Sequence, residues 1–489
     1  MIDPRTPVLV GVGQLSSTDR EARFSTTGLL GDAARTALAE AGGGITERIR
    51  YVGAVDSFAS QLPDLAGALA GSLGIEAKET VATRISGTSP VELLADACGL
   101  IASGSLDAAL LGGVEVVRAW KDGRLTEDPV QPEGTAPSRI LGTDRTPQHE
   151  GELAAGLNQP AQYYPLFEQA IRSADGSSIE EHDRALGTLW SRFASVAAQN
   201  PHAWDTSAPS AADILATGPD NRMIAAPYRK LLTANIFVDQ AAALVLCSAE
   251  TATAAGIPRE RWVFVNATAS ANEHWFVGER EHLHRSEAIA AIGTALREHT
   301  GRTPSGHEHL DLYSCFPCAV RVGADALGID AYDPARVPTV TGGLTFAGGP
   351  GSNYVMHSLA AMTERLRAHP GERGLCTALG WFLTKHAAVS LSTEAPTTPY
   401  RHLDAQAAVD ARPRRSVALG YTGPAEIETY TCAYGRDGEP ETGYLACLLP
   451  DGRRAFAASA DPAQAAELVA GDPLGKPVTL TDGARFRLG

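Results

Sequence analysis

The stretch Thr341-Gly-Gly-Leu-Thr-Phe-Ala-Gly-Gly-Pro-Gly-Ser-Asn-Tyr354 carries the strongest fold signal in this chain. It holds two pairs of glycines with four residues between them, and a proline follows the second pair. Glycine adopts backbone conformations that other residues avoid, so the stretch predicts a tight loop. Two interpretations stay open for Gly348 and Gly349. Their N–H groups face an oxyanion on a ligand, or they only permit the turn.

Segments outside this loop alternate between strand-like and helix-like patterns. Residues 7–13 and 106–117 are apolar runs typical of buried strands, and residues 90–103 place apolar side chains on one helical face. The same alternation resumes after residue 231. It predicts an α/β fold with a parallel sheet and crossover helices.

Composition and pattern divide the chain into several parts. Residues 118–230 are rich in Pro, Gly, Asp and Glu, which predicts an inserted loop domain. Residues 1–117 and 231–266 predict the N-terminal half of the α/β core with the start of the second half, and residues 267–395 predict the C-terminal half. Residues 410–489 show short alternating strands with glycine turns, which predicts a small antiparallel barrel or sandwich.

Two helices are predicted to begin in similar surroundings. Ile85-Ser-Gly-Thr-Ser-Pro90 and Tyr313-Ser-Cys-Phe-Pro317 each open a helix after a strand, with a proline near the first turn. Ser89 is interpreted as the N-cap of the first helix. Two related halves that meet at helix N-termini suit an anionic or oxyanion-forming ligand. Two unrelated strand–helix units are the alternative.

Bulk properties exclude several classes of protein. The 489 residues carry 57 acidic and 41 basic side chains and a net charge of -16, which gives no support to nucleic-acid binding. Seven cysteines, few and odd in number, argue against a disulfide framework. We find no signal-peptide pattern and no apolar run long enough to span a membrane, so a cytoplasmic location is expected.

Residues 7–390 resemble the thiolase superfamily in four stretches. The glycine-rich loop has the spacing of the family's Gly-Gly-x-x-x-x-Gly-His-Pro motif. The other three are the segment that ends in Gly112-Gly-Val-Glu115, the segment Asp239-Gln-Ala-Ala-Ala-Leu-Val-Leu246, and Tyr313-Ser-Cys-Phe316. The resemblance implies a duplicated α/β/α/β/α core with an inserted loop domain. It also implies acyl-CoA substrates, acyl transfer of the acetyl-CoA acetyltransferase type and a role in lipid metabolism.

The catalytic positions depart from the family pattern. Gly87 falls at the position of the nucleophilic cysteine, and Gly349 stands where the family has its histidine. Ordinary thiolysis is therefore not expected, because losing members of a cooperating set costs orders of magnitude in rate. Cys376 falls near the family's second cysteine and is an acid/base thiol or a small buried residue. His386 lies at the site or hydrogen-bonds a backbone carbonyl.

Tyr313 and Tyr354 suggest a different chemistry. A tyrosine pair at these places resembles the thiolase-like aldolases of steroid side-chain degradation, which are associated with a small OB-type barrel protein. The resemblance implies proton transfer to or from a 3-hydroxyl or enolate oxygen, and the alternative is that both rings fill the core. Cys315 matches the cysteine of the family's His-Asp-Cys-Phe variant. Cys315-Phe-Pro-Cys318 lacks a second ligand pair, so no metal site is predicted.

CoA or acyl-CoA is expected as a substrate or ligand, with no tightly bound cofactor. Thiolases hold the nucleotide of CoA with their loop domain, which corresponds here to residues 118–230. Trp190 or Trp204 would stack on its adenine, and solvated surface charge is the alternative for the basic residues. The candidate contacts are Gly87, Ser89, Gly348, Gly349, Arg222, Arg229 and Lys230.

Over its whole length the chain most resembles the thiolase-like proteins called type 1, which add a C-terminal domain to a thiolase core with altered motifs. Three hypotheses follow: acyl transfer, retro-aldol cleavage of a 3-hydroxyacyl-CoA by Tyr313 and Tyr354, or acyl-CoA or lipid binding without catalysis. Thiolase cores usually dimerise through a sheet edge, so both a monomer and a homodimer are expected states.

Overall fold

A computed structural model describes residues 2–42 and 44–488. The α-helices in these residues are α1 (Thr26–Ala41), α2 (Leu65–Leu73), α3 (Ser89–Ala102), α4 (Val117–Lys121), α5 (Glu150–Ala154), α6 (Pro160–Asp175), α7 (Ile179–Ala197), α8 (Ala211–Leu215), α9 (Ala249–Ala254), α10 (Glu287–Thr300), α11 (Pro317–Leu327), α12 (Gly343–Phe346), α13 (Tyr354–Ala368), α14 (Gln406–Asp410) and α15 (Pro462–Ala470). The strands are β1 (Pro7–Ser16), β2 (Ile49–Ala54), β3 (Glu79–Thr83), β4 (Ala108–Glu115), β5 (Arg139–Leu141), β6 (Met223–Ala225), β7 (Tyr228–Arg229), β8 (Gln240–Ser248), β9 (Val263–Asn272), β10 (His309–Asp311), β11 (Arg373–Gly380), β12 (Lys385–Ser392), β13 (Arg401–Asp404), β14 (Gly423–Tyr434), β15 (Pro440–Leu448), β16 (Arg454–Ser459), β17 (Pro477–Thr481) and β18 (Arg485–Leu488).

The larger of the two sheets has 11 strands, in the order β10-β11-β12-β9-β1-β8-β4-β2-β3-β5, with β13 beside β9. It is mixed: β2 runs parallel to β3 and β4, whereas β1 and β8 are antiparallel. The expectation of a parallel sheet is therefore wrong. Residues 381–384 connect β11 to β12, and so short a turn joins only antiparallel strands.

The two halves of this sheet repeat one topology. The order β2-β4-β8-β1 has one parallel pair followed by two antiparallel pairs, and β10-β11-β12-β9 has the same sequence of directions. The helix that directly precedes β4 is α3, and the helix that directly precedes β11 is α13. The counterpart of α3 is therefore α13, and the predicted pairing with the helix that begins at Pro317 is wrong.

Helices α3 and α13 form the middle layer of an α/β/α/β/α core, because each packs against strands of both halves. A helix covered on all sides carries apolar residues around its circumference. In α13 these include Val355, Met356, Leu359 and Met362, all fully buried. Outside this layer, α1 packs on the first half and α10 on the second. No helix within residues 2–42 and 44–488 is both long and apolar enough to cross a bilayer.

The segment between β4 and β8 covers two places on the core. Its strand β5 pairs in parallel with β3 and so occupies the outer edge of the first half. Arg139 of β5 holds this contact through Glu79 at 2.9 Å and Asp96 at 2.7 Å. Its helices α6 and α7 pack on α11 of the second half. The insertion therefore covers both a sheet edge and the region around the predicted site.

The C-terminal residues form a smaller curved sheet in the order β16-β15-β14-β17-β18, with antiparallel pairs. The Ala458 N–H donates to the Ala484 carbonyl at 2.9 Å, which brings the two ends of the sheet together. This agrees with the predicted small β-rich domain. Strand β6 of the insertion joins the same sheet, where Ala225 pairs with Ala433.

Arg454 links the C-terminal domain to the core through hydrogen bonds to both. Its side chain is fully buried, and two of its nitrogens each donate to the Glu428 carboxylate at 2.6 Å. The third donates to the Gly278 carbonyl of the core at 3.0 Å. A second contact joins Arg172 of α6 to Asp472 at 2.7 Å. The C-terminal domain therefore contacts both the core and α6 through buried or partly buried ion pairs and hydrogen bonds.

Arg454→Met is expected to lower the free energy of unfolding by about 3–5 kcal/mol, because it leaves the Glu428 carboxylate and the Gly278 carbonyl without their donor. Urea denaturation followed by circular dichroism measures this. The control is Arg453→Met, whose ion pair with Asp451 is solvent-exposed and is therefore expected to contribute little to stability. Equal losses in the two variants would contradict the role of Arg454.

Candidate functional site

The Asp311 carboxylate organises the junction between the halves. It is fully buried at the end of β10. Its Oδ1 accepts hydrogen bonds from the Thr339 hydroxyl at 2.8 Å and the Val340 N–H at 2.9 Å. Its Oδ2 accepts from the Tyr354 hydroxyl at 3.0 Å. The carboxylate thus ties the segment that enters the glycine-rich loop to the helix that follows it.

The glycine-rich loop has a conformation that requires glycine. Gly343 and Gly348 have φ values of +79° and +111°. A Cβ atom at residue 348 would also overlap Oε1 of Gln240. The Gly349 N–H donates to the Asn235 carbonyl at 2.9 Å, so it is not free to meet a ligand in this conformation. For Gly349 the geometry favours the turn over the oxyanion contact.

Tyr313 occupies the space next to Gly87. A Cβ atom at residue 87 would lie 2.6 Å from the Tyr313 hydroxyl oxygen and would overlap the Leu379 carbonyl oxygen. No side chain fits there, so the phenol stands where a nucleophile on residue 87 would project. Burial, and then the neighbouring Cys315, raise the pKa of Tyr313 well above its usual value. The group is therefore a protonated donor at neutral pH.

Tyr354 contacts Tyr313 but has a different environment. The two rings meet edge to face with centroids 5.5 Å apart. The Tyr354 hydroxyl is 2.6 Å from Oγ1 of Thr341 and donates to Asp311. Burial and the Asp311 charge raise its pKa well above the usual value. Tyr354 therefore holds the loop in place, whereas the Tyr313 hydroxyl has no hydrogen bond to any residue that the structure describes.

The candidate thiols are buried and protonated. Burial raises the pKa of Cys315 to about 12. Cys376 lies in the middle of β11 with its Sγ 3.9 Å from the Ser358 carbonyl of α13, and burial raises its pKa as well. Because the thiolate is the nucleophilic form, neither cysteine is activated in this structure.

His386 lines the same narrow apolar cavity as Tyr313. Its Nε2 donates to the Leu383 carbonyl at 3.1 Å, which corresponds to the backbone-bonded interpretation. Burial lowers the pKa of His386 to about 3, so the ring is neutral.

An aromatic lid from α6 covers this junction. Tyr164 stacks on Phe316 with ring centroids 4.4 Å apart, and Tyr163 stacks on Phe382 at 4.0 Å. The Tyr164 hydroxyl donates to the Trp381 carbonyl at 2.7 Å. These contacts exclude water, which strengthens electrostatic interactions beneath the lid.

The three basic residues predicted to contact CoA lie together, apart from the glycines of the site. Arg222 donates to the Met223 carbonyl, Arg229 pairs with Asp183 at 2.8 Å, and Lys230 is exposed, all beside the β6–β7 hairpin. Trp190 is buried and donates to Thr345, so it cannot stack on adenine as predicted. Trp204 packs against the Arg118 guanidinium.

Ser89 is not the N-cap that the sequence predicts. It is the first residue of α3, and its hydroxyl donates to the Arg84 carbonyl at 2.7 Å. The N-cap position belongs to Thr88, whose hydroxyl donates to the Glu92 carboxylate instead of accepting from the helix. Ser89 therefore stabilises the turn before the helix.

The sequence did not reveal a small polar cavity beside the loop. Gln14, Gln240 and His357 line it, and each has one buried polar atom with no partner among the described residues: Nε2, Oε1 and Nε2, respectively. Burial, then the charge of His202, lowers the pKa of His357 to about 3. The sequence did contain a signal for this cavity, because Gln14 and Gln240 are polar residues within the apolar strands β1 and β8.

Comparison with known proteins agrees with this architecture. Residues 404–483 match the thiolase-like protein type 1 additional C-terminal domain. The structure of a monomeric SCP2-thiolase like protein type 1 from Mycobacterium smegmatis shares 31% identity, covers 100% of both chains and has a TM-score of 0.86. No curated protein matches the sequence.

Two more distant structures share the fold of the core. The Ltp2-ChsH2(DUF35) aldolase is 19% identical over 80% of this chain and 98% of that chain, with a TM-score of 0.59. The Acat5 thiolase from Ascaris suum in complex with coenzyme A is 14% identical over 79% and 99%, with a TM-score of 0.56. The fold is therefore that of the thiolases. The chain belongs to the thiolase-like proteins of type 1, which carry an added C-terminal domain.

Gly87→Ala is expected to destabilise the protein by about 1–3 kcal/mol, because its methyl group would collide with the Leu379 carbonyl and the Tyr313 hydroxyl. The matched control is Gly349→Ala, where the nearest atom to a new Cβ, the Asn235 carbonyl oxygen, is 3.2 Å away. Thermal unfolding of both variants measures the difference. A Gly87→Ala protein as stable as the control would contradict the packing described for Tyr313.

Proposed function

We propose that this protein handles acyl-CoA thioesters by acid–base chemistry, as a retro-aldolase that cleaves a 3-hydroxyacyl-CoA without a covalent acyl-enzyme. The observation that carries the proposal is the Tyr313 hydroxyl, which lies where the side chain of a nucleophilic residue 87 would project. Retro-aldol cleavage needs a proton donor and a base but no thiolate. The buried, protonated state of Cys315 supports the same choice.

The proposed step moves one proton and breaks one carbon–carbon bond. A base takes the 3-hydroxyl proton, the C2–C3 bond breaks as the C3 carbonyl forms, and the electron pair remains on C2 as a thioester enolate. Tyr313 donates a hydrogen bond to the enolate oxygen. We propose His357 as the base because its Nε2 is unpaired among the described residues. It lines the polar cavity beside the glycine-rich loop, whereas Tyr313 lines the apolar one, so the substrate has to reach both cavities. The proton then returns to C2 and releases the shortened acyl-CoA.

An apolar rim beside the glycine-rich loop supports a lipid-like substrate. Phe58, Ile236 and Phe237 are each about half exposed, and the Phe58 ring lies against Gly351 of the loop. Exposed apolar clusters of this kind mark binding surfaces. The Lys121 ammonium lies 4.6 Å from the centre of the Phe237 ring and offers a positive charge to a phosphate. The Acat5 thiolase complex with coenzyme A supports the same class of ligand. We add Lys230, which is exposed, as a further phosphate contact.

Acyl-CoA binding without turnover is the second candidate. It is favoured by the Tyr354 hydroxyl, which is fully engaged by Thr341 and Asp311 and so is not free for proton transfer. A cytoplasmic location and the oligomeric state, monomer or homodimer, stay predictions from the sequence.

The intact mass of the protein is expected not to change after incubation with acetyl-CoA and with a long-chain 3-oxoacyl-CoA. The physical reason is that a thiol with its pKa near 12, as burial gives Cys315, is almost wholly protonated at neutral pH. Mass spectrometry under native conditions checks this. A stable acyl adduct mapped to Cys315 or Cys376 would overturn the lyase proposal and indicate a ping-pong transferase.

Tyr313→Phe is expected to lower the rate of 3-hydroxyacyl-CoA cleavage by about 100-fold or more, as loss of a hydrogen-bond donor to a developing oxyanion does, with little change in stability. Tyr354→Phe is expected instead to cost about 1–3 kcal/mol of unfolding free energy, because the Asp311 carboxylate loses a buried donor. Product analysis and urea denaturation of both variants separate these roles.

Full cleavage activity in Tyr313→Phe would contradict the proposed role of the Tyr313 hydroxyl as hydrogen-bond donor to the enolate. A wild-type protein that binds 3-hydroxyacyl-CoA in calorimetry and releases no product from a panel of chain lengths would favour binding without turnover.

A further inference from the structure

A group of metal-ligating side chains lies away from the candidate site. His309 is the first residue of β10, His369 follows the end of α13, and Glu372 lies in the turn before β11. One ligand atom from each falls within 4.8 Å of the others. His309 Nε2 is 2.6 Å from the Glu372 carboxylate, and the two imidazole rings are 5.2 Å apart between centroids. The sequence analysis had predicted no metal site, because Cys315-Phe-Pro-Cys318 lacks a second ligand pair.

The hydrogen bond that His369 makes through Nδ1 leaves its Nε2 available to a metal ion. Its Nδ1 donates to the Arg365 carbonyl at 2.9 Å, so Nε2 carries the lone pair. This is the arrangement of metal-binding histidines, in which a backbone carbonyl fixes the tautomer and the ring orientation. Neutral imidazole is the form that binds a cation.

We propose that His309, His369 and Glu372 form a binding site for a divalent first-row transition cation, for which Zn²⁺ is the probe. Two imidazole nitrogens and one carboxylate oxygen are ligands that Zn²⁺ accepts and that Mg²⁺ and Ca²⁺ do not prefer. The set leaves room for a water as fourth ligand. The Arg365 charge acts against a cation here, and the Glu372 charge offsets it.

The position of the site indicates a stabilising role. The three ligands come from the start of β10, the end of α13 and the turn into β11, so one ion would join three elements at an edge of the large sheet. Helix α13 has 15 residues, so at 1.5 Å per residue it separates the Cα atoms of Tyr354 and His369 by about 22 Å along its axis. The ion would support β10, which begins at the ligand His309 and ends at Asp311.

The test is calorimetric titration of Zn²⁺ into the chelator-treated full-length protein, with Mg²⁺ as the comparison ion. We expect one equivalent of Zn²⁺ to bind, an increase in melting temperature, and no such response to Mg²⁺. His369→Ala and Glu372→Gln are expected to weaken Zn²⁺ binding by at least about tenfold. Both residues are solvent-accessible, so the metal-free variants should melt as the wild type does.

The matched control is His299→Ala, which removes an imidazole whose hydrogen bond among the described residues goes to the Pro399 carbonyl. It should bind Zn²⁺ as the wild type does. Zn²⁺ affinity that is unchanged in His369→Ala, or a wild type that binds no equivalent, would overturn the proposal. Co²⁺ gives a second readout, since visible absorption of a four-coordinate site should appear in the wild type and disappear in His369→Ala.

Discussion

A single buried carboxylate, that of Asp311, determines the arrangement of the candidate site. Placing a carboxylate in the interior is costly unless hydrogen bonds satisfy it. Here the donors come from residues 339–341 before the glycine-rich loop and from Tyr354 after it. The loop and the start of α13 are therefore fixed by the same group. Tyr313 lies two residues beyond Asp311 in the chain, so its position follows from the same constraint.

The residues that stand in place of the thiolase nucleophile and its surroundings pack against one another. Gly87 leaves a space, and the Tyr313 hydroxyl and the Leu379 carbonyl fill it. The lid formed by Tyr163 and Tyr164 then closes over the same region. A site that had only lost its nucleophile would contain an open gap of the size of the missing side chain. The packing instead indicates that the junction has been rebuilt around a phenol.

Sequence patterns predicted the alternating strands and helices, the insertion and the β-rich C-terminal domain, because periodicity and glycine spacing are local signals. The duplicated core was implied by the resemblance to the thiolases. The mixed direction of the sheet was missed because it depends on the short turn between β11 and β12. Gln14, Gln240 and His357 were also missed. They come together only through the pairing of β1 with β8, where Gln14 lies opposite Ala242, and through the packing of α13 between the halves. Arg229 was predicted as a CoA contact, and its ion pair with Asp183 was missed because Asp183 lies on α7, 46 positions earlier.

The contacts between the insertion and the C-terminal domain also set an order of events during synthesis. The Thr429 hydroxyl donates to the Leu166 carbonyl across 263 positions of the chain, and Ala225 of β6 pairs with Ala433 of β14 across 208 positions. A ribosome adds about 5–20 residues per second, so α6 and the β6–β7 hairpin leave the ribosome many seconds before their partners exist. The aromatic lid therefore reaches its native position only near the end of translation. A chaperone that shields residues 160–230 during this interval would be expected to raise the yield of folded protein.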